Sequence, residues 1–293
     1  MGLFVPLLIT VGVVGALLYA IYLAIRDTVF FGKFRNVYEL VTMLINLKIH
    51  SKKNGQIWSY VDDFEKLVDT TPDVIQFIFV EGDEYVSRQA LDRRASQIGN
   101  WAHSDKIKLK QKDTVALMMI NRSDYVAFWL GVSKVGGRTA LLNTNITGKA
   151  LIHSVTVAVQ ESETKLLVVD ADLRGTINDE VKELEGQGVK VLYWDEASKV
   201  VDTFPTSRPS KALRAQVYER DPFIYIFTSG TTGLPKASKI SHTRFYLGGL
   251  PISTFCYMKP GKRLYTCLPL YHSAAGMLGV GGILRSGATM VVR

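Results

Sequence analysis

Residues 3–25 form one uninterrupted uncharged, mostly apolar run, and the first charge after it is Arg26. Roughly 20 apolar residues cross a bilayer, so the run predicts a transmembrane helix, with Tyr19 and Tyr22 near one interface. A cleaved signal peptide has a basic start and a shorter apolar core; no basic residue precedes this run, which predicts an uncleaved anchor. Arg26, Lys33 and Arg35 follow it, and positive charge marks the cytosolic side. Between residues 37 and 49, Leu40, Val41, Leu44, Ile45 and Leu47 recur at a roughly helical period, closed by Lys48, Lys52 and Lys53. That segment is expected either in the headgroup layer, apolar side down, or packed on the following domain.

From Trp58 the pattern changes. Strand-like runs at 75–80, 114–120, 138–142, 166–169, 189–193, 223–227, 237–240 and 289–292 alternate with helical periods. Ser87 is placed to cap a helix whose Leu91, Ala95, Ile98 and Ala102 share one face. Residues 121–124 supply caps for a helix running to Val135 and stopped by Gly136 and Gly137, with Phe128 and Trp129 on its core stripe. Further helices are expected at 150–159 and 177–184. Residues 197–213 are polar, contain Pro205 and Pro209, and read as a surface connection. This alternation predicts an α/β fold with largely parallel sheets. The expected organisation is an anchor (1–25), a juxtamembrane amphipathic segment (26–57) and one α/β domain (58–293).

Composition adds two constraints. The 293 residues are 47% hydrophobic with a net charge of +8. The basic residues read as scattered and no nucleic-acid module is recognisable, so a membrane surface or anionic cofactors account for the charge better than nucleic acid. The two cysteines, Cys256 and Cys267, form no CxxC pair and have no neighbouring histidine cluster. A zinc site is thereby disfavoured, and both are expected as reduced core thiols.

The chemistry concentrates at Tyr225, Ile226, Phe227, Thr228, Ser229, Gly230, Thr231, Thr232, Gly233, Leu234, Pro235 and Lys236. An apolar strand enters this stretch. The glycines permit positive φ and close ligand approach, and successive N–H groups in such a turn make an anion-binding concavity. Hydroxyls add donors, and Lys236 adds a positive charge for phosphate oxygens. A Walker A loop needs Gly-Lys-Ser/Thr at its end and a helix after it. Here Pro235 precedes Lys236 and a second strand follows, so Walker A is excluded. A flexible linker fits poorly between two apolar strands. His242, after Ser241, is expected as a structural cap at a helix start.

This loop resembles the signature loop of the adenylate-forming enzymes, the superfamily of acyl-CoA synthetases. Residues 268–276, Leu-Pro-Leu-Tyr-His-Ser-Ala-Ala-Gly, resemble the family's next motif. Residues 128–136 and 140–145 resemble the fatty acid transport protein and very-long-chain acyl-CoA synthetase branch. The resemblance implies the first domain of a membrane-anchored ligase. It activates a long-chain or very-long-chain fatty carboxylate with ATP and Mg²⁺ to an acyl-adenylate, then transfers the acyl group to coenzyme A. It implies residues 225–236 as the nucleotide-binding stretch and Lys236 and His272 as catalytic residues. His272 would orient the carboxylate or gate the acyl tunnel; the alternative is a histidine that satisfies backbone groups after Pro269. No protein carboxylate stands out as a metal ligand. The family's later Tyr-Gly-x-Thr-Glu motif, its ribose-holding Asp and its C-terminal lysine are not in these 293 residues. The chain therefore reads as the front part of a longer protein, inactive alone and leaving a sheet edge uncovered after its last strand. The other functional class is a membrane protein that binds or moves fatty acid without chemistry.

Overall fold

The computed structural model describes residues 58–228 and 233–293. The expected anchor, the juxtamembrane segment and Ser229, Gly230, Thr231 and Thr232 lie outside the described residues. Among the described residues no helix is long and apolar enough to cross a membrane.

The strands divide between two sheets. The larger has the order β6 (Lys190–Tyr193), β5 (Leu166–Val169), β3 (Thr114–Met118), β4 (Arg138–Leu141), β7 (Pro222–Thr228) and β8 (Lys236–Ser241). Its first five strands are parallel, and β8 returns antiparallel to β7. A parallel return would need a crossover of a dozen or more residues; the short loop between Thr228 and Lys236 permits only the antiparallel one. The smaller sheet has the order β2 (Glu84–Ser87), β1 (Ile75–Phe79), β10 (Thr289–Val292), β9 (Arg263–Thr266), parallel except for β1 and β2. The last strand, β10, is therefore interior, and among the described residues the outermost strands are β2 and β9, both absent from the sequence expectation. Phe77, Phe79, Met290 and Val292 face the core. The opposite face carries the cross-strand row Tyr85, Ile78, Val291 and Tyr265.

Helices cover the larger sheet. On one side lie α1 (Tyr60–Thr70), α2 (Arg88–His103), α3 (Ser123–Lys134) and α6 (Trp194–Val201); on the other lie α4 (Gly148–Val159) and α5 (Asn178–Gly186). Ser59 and Asp62 form a reciprocal capping box on α1. Ser87 caps α2, and Leu91, Ala95, Ile98 and Ala102 are buried as their spacing predicts. Helix α3 is buried nearly all round, including Phe128 and Trp129. Its Gly131 lets it press on α2, since a Cβ there would stand 2.6 Å from the Ala95 carbonyl oxygen.

Four expectations need correction. No side chain caps α3: its N-cap is Arg122, while Asn121 and Asp124 bond elsewhere. The supposed surface connection begins with α6, whose Trp194, Ala197 and Val201 are buried, and then sends Arg208 and Arg214 into ion pairs with buried acids. Cys256 and Cys267 are free but exposed: Cys256 ends the short helix Leu250–Phe255, and Cys267 directly follows β9. The cap of α7 (His242–Gly248) is Ser241, which accepts the Arg244 N–H. His242 is instead buried, 1% exposed, and its Nδ1 accepts the Tyr60 N–H at 3.1 Å.

Burial, with a smaller contribution from Arg138, pushes the His242 imidazole down to about 3, against the opposing pull of Asp221. The unfolded chain then binds a proton that the folded chain refuses. The stability from neutral His242 is complete above the ordinary histidine range and is lost as pH falls from about 6.5 toward 3. Between about pH 6.5 and 5 the expected loss is about 2 kcal/mol. Urea unfolding at the two pH values should show it, and His242→Asn should remove most of this pH dependence. A parent stability that does not change over this window would contradict the assignment.

Candidate active site

The loop expected to hold phosphates leaves the carboxyl end of β7, where active sites lie in parallel sheets. Tyr225 and Ile226 are buried within β7, and Phe227 is half-buried beside them. Their side chains pack in the core, Tyr225 and Phe227 toward α4 and Ile226 toward the opposite side. These three residues thus form the strand that leads into the loop, with Tyr225 also lining the cavity beside Lys236. Thr228 is exposed at the strand end, in register with Lys236, and its hydroxyl donates to the Lys236 carbonyl at 3.5 Å. Gly233 has φ +84, and a Cβ there would meet nothing; conformation, not space, demands glycine. Leu234 is exposed, Pro235 half-buried and Lys236 exposed. Lys236 lines a cavity of about 260 Å³ with His153, Glu161, Tyr225 and Lys239, between α4 and β8.

His272 comes from the other sheet. It follows β9 and precedes a π-helical turn, Ala274–Val280, a local form frequent at functional sites. Its N–H donates to the Pro269 carbonyl at 3.0 Å, its carbonyl accepts the Gly276 N–H at 2.8 Å, and its Nδ1 accepts the Ala274 N–H at 3.3 Å. The residue satisfies backbone groups after Pro269 while its side chain stays exposed. Gly276 is required by close approach, since its Cβ would stand 2.3 Å from the Leu270 carbonyl oxygen.

Asn121, expected only as a helix cap, joins the two sheets. It sits just after β3, its amide donates to the Leu268 and Arg293 carbonyls at 3.1 and 2.9 Å, and its Oδ1 accepts the Leu270 N–H at 2.8 Å. The carboxyl ends of β3, β9 and β10 are therefore tied at one side chain. Beside it the Asn145 amide, in the loop after β4, donates to the Tyr271 hydroxyl at 3.4 Å. Residues 268–276 are thus held over the same end of the larger sheet from which the 228–236 loop emerges. An Asn between an apolar run and a helix is an ordinary cap signal, and no sequence feature separated this role from that one. Arg122 pairs with buried Asp170 at the ends of β3 and β5, Nη1 to carboxylate at 3.2 Å. Under the π turn, the Tyr125 hydroxyl and the Trp129 Nε1 are buried without a hydrogen-bond partner among the described residues. Burial, reinforced by Tyr271, pushes the Tyr125 phenol well up, so it stays neutral.

Among the described residues no three His, Cys, Asp or Glu side chains converge as a metal site. Mg²⁺ held mainly by nucleotide phosphates needs only one or two carboxylates, and no step here runs through it.

A two-sheet α/β fold, with a connection rich in hydroxyls and glycines in its sequence between the antiparallel β7 and β8 and a Pro-x-Tyr-His segment at the same end of the larger sheet, is the arrangement that the family comparison accounts for. The AMP-binding enzyme family model matches residues 64–293. The chain belongs to that family. It is similar to long-chain fatty acid transport protein 2 of Rattus norvegicus, 36% identical over 220 residues, covering 72% of this chain and 34% of that protein. It is also similar to long-chain fatty acid transport protein 6 of Homo sapiens, 33% identical over 275 residues, covering 90% and 42% respectively. The chain thus spans less than half the length of these curated relatives. Among solved structures, the N-terminal domain of FACL13 from Mycobacterium tuberculosis superposes with a TM-score of 0.67 at 15% identity, covering 80% of this chain and 57% of that one. ATP-bound MatB from Rhodopseudomonas palustris gives 0.66 at 20% identity, covering 80% and 44%. At these identities the superpositions establish the fold: an adenylate-forming N-terminal domain with mixed, mostly parallel sheets.

Proposed function

We propose that this chain supplies the phosphate-holding and acyl-entrance part of a long-chain or very-long-chain fatty acid–CoA ligase. The supporting observation is the 228–236 loop, set between two paired strands at the carboxyl end of the sheet, in a chain similar to fatty acid transport proteins. The fatty carboxylate attacks the α-phosphorus of ATP, pyrophosphate leaves, and the thiol of coenzyme A then displaces AMP. Charge develops on the departing pyrophosphate, so catalysis there is positioning and electrostatic stabilisation. Thr228, Ser229, Thr231 and Thr232 offer hydroxyls, Gly230 and Gly233 offer close backbone N–H groups, and Lys236 offers its ammonium to the β- and γ-phosphates. Tyr225, Ile226 and Phe227 hold the loop's entry, while Leu234 and Pro235 shape its exit. His272 orients the carboxylate or gates the acyl path.

The proposed organisation is a single-pass anchor at residues 1–25, a juxtamembrane segment at 26–57 and a cytosolic AMP-binding domain at 58–293, in endoplasmic reticulum or plasma membrane. The relatives' names favour a second reading, in which the protein carries fatty acid across or out of the membrane. The two readings are compatible, because conversion to the CoA ester traps imported acid.

Binding of a fluorescent ATP analogue to the membrane-reconstituted chain tests the loop. A charge-assisted hydrogen bond contributes roughly 1.5–3 kcal/mol, so Lys236→Ala is expected to weaken binding by roughly 10–100-fold. Equal affinity in parent and variant would remove Lys236 from the site.

A further inference from the structure

Strands β3 and β4 are parallel neighbours, yet the helices that follow them leave to opposite sides of the larger sheet. Helix α3 joins the side of α1 and α2, and α4 covers the other. Such a divergence opens a crevice between the two loops at the carboxyl ends of the strands, the usual place for a ligand in a parallel sheet. Here a segment of the second sheet is held across it. From the loop after β3, the Asn121 amide donates to the Leu268 carbonyl at 3.1 Å and its Oδ1 accepts the Leu270 N–H at 2.8 Å. From the loop after β4, the Asn145 amide donates to the Tyr271 hydroxyl at 3.4 Å, and Asn143 Oδ1 accepts the Asn145 N–H at 2.8 Å.

Asn121 is spent on this contact at the expense of its own helix. An Asn at such a place ordinarily supplies a cap, and α3 starts without a side-chain cap. A primary amide carries a donor and an acceptor side by side, so one side chain serves the Leu268 carbonyl and the Leu270 N–H as the peptide group of a neighbouring strand would. From there to His272 the chain has little freedom. The ring of Pro269 fixes its φ, Leu270 is buried, and the His272 N–H closes onto the Pro269 carbonyl at 3.0 Å. A shift at Leu270 is therefore passed to His272, two residues on.

We propose that Asn121 is a positioning residue for the acyl half of the site: through Leu268 and Leu270 it holds His272 toward the fatty carboxylate, without touching the ligand itself. This role rests on the ligase reading of residues 268–276. The phosphate half is independent of it, because none of the Asn121 side-chain bonds goes to β7 or β8, which carry the 228–236 loop.

The full chain, reconstituted into phosphatidylcholine vesicles, gives two affinities on one preparation. One is for a fluorescent ATP analogue. The other is for palmitate carrying a diazirine beside its carboxyl group, read as saturable photocrosslinking to residues 268–276. Asn121→Asp keeps the shape of the side chain but turns the donor into an acceptor facing the Leu268 carbonyl. Leaving such a partner unpaired corresponds to about a tenfold change. Palmitate half-saturation is expected to weaken about tenfold, with the affinity for the ATP analogue unchanged. His272→Ala should weaken palmitate by a similar factor, and the double variant no further than His272→Ala alone, because residues that act as one unit are not additive. Unchanged palmitate affinity in Asn121→Asp would overturn the proposal. Equal losses for palmitate and the ATP analogue would do so too, by making Asn121 a structural tie only, as would factors that multiply in the double variant. A parent chain without saturable crosslinking would remove the acyl reading itself, and this role with it, which sets that failure apart from a failure of Asn121 alone.

Discussion

Lys134→Ala is expected to remove about 3–5 kcal/mol of folding stability, out of the roughly 5–15 kcal/mol typical of a domain. Lys134 is 0% exposed at the end of α3. Its Nζ donates to Glu65 Oε1 and to Asp92 Oδ1, each at 2.7 Å. The network continues outward: Arg214 Nη2 reaches Glu65 Oε2 at 2.7 Å and Asp62 at 3.0 Å, and Arg208 bridges Asp92 and Asp69 at 2.8 and 2.7 Å. Burial alone would raise the Glu65 carboxyl, but Lys134 and Arg214 override it and hold the group below its usual range, so it is ionised at neutral pH. A buried ion pair adds little over an apolar pair, whereas removing one partner leaves uncompensated buried charge. Deleting Lys134 takes the most buried cation from two carboxylates at once, leaving Glu65 with Arg214 and Asp92 with Arg208 nearer the surface, and loosens α1, α2 and α3 together. Urea unfolding of variant and parent measures the effect. A loss under about 1 kcal/mol, the range of exposed pairs, would mean that the network is solvated and the packing of these helices misassigned.

That network was invisible in the sequence for a physical reason. Lys and Arg usually lie on solvated faces, and nothing local tells Lys134, Arg208 or Arg214 that its partners stand on α1 and α2, more than 40 residues away for Lys134 and Asp92. The same blindness turned residues 197–213 into a surface connection. The parallel strands were legible because burial on both faces makes them continuous apolar runs; all five residues of β3 are buried. The edge strands β2 and β9 were not. Each has four residues, half or more of them exposed, and at that length a polar edge looks like a turn.

At the site, residue types announced the loop between β7 and β8 and the strands on either side of it, while their antiparallel pairing came from the structure. The roles of its side chains were less legible: Tyr225 and Ile226 sit in the same apolar stretch but point into the core from opposite faces of β7. Asn121 was read as a cap because the cap signal is local, while its bonds to Leu268, Leu270 and Arg293 span about half the chain.

The central claim is that the 228–236 loop serves the attack of a fatty carboxylate on ATP. The resemblance places further groups for that step, a ribose-holding Asp and a C-terminal lysine, outside these 293 residues, and each missing donor to a developing charge lowers the rate by about 10²–10³. Palmitate-dependent exchange of labelled pyrophosphate into ATP tests the claim most directly. It is measured in membranes without endogenous ligase, carrying either this chain alone or this chain joined to a segment that bears those groups. The account predicts fatty-acid-dependent exchange by the joined protein, a strong loss in its Lys236→Ala variant, and none above background from the chain alone. Exchange by the joined protein that ignores the fatty acid or survives Lys236→Ala, or robust exchange by the 293 residues alone, would contradict it.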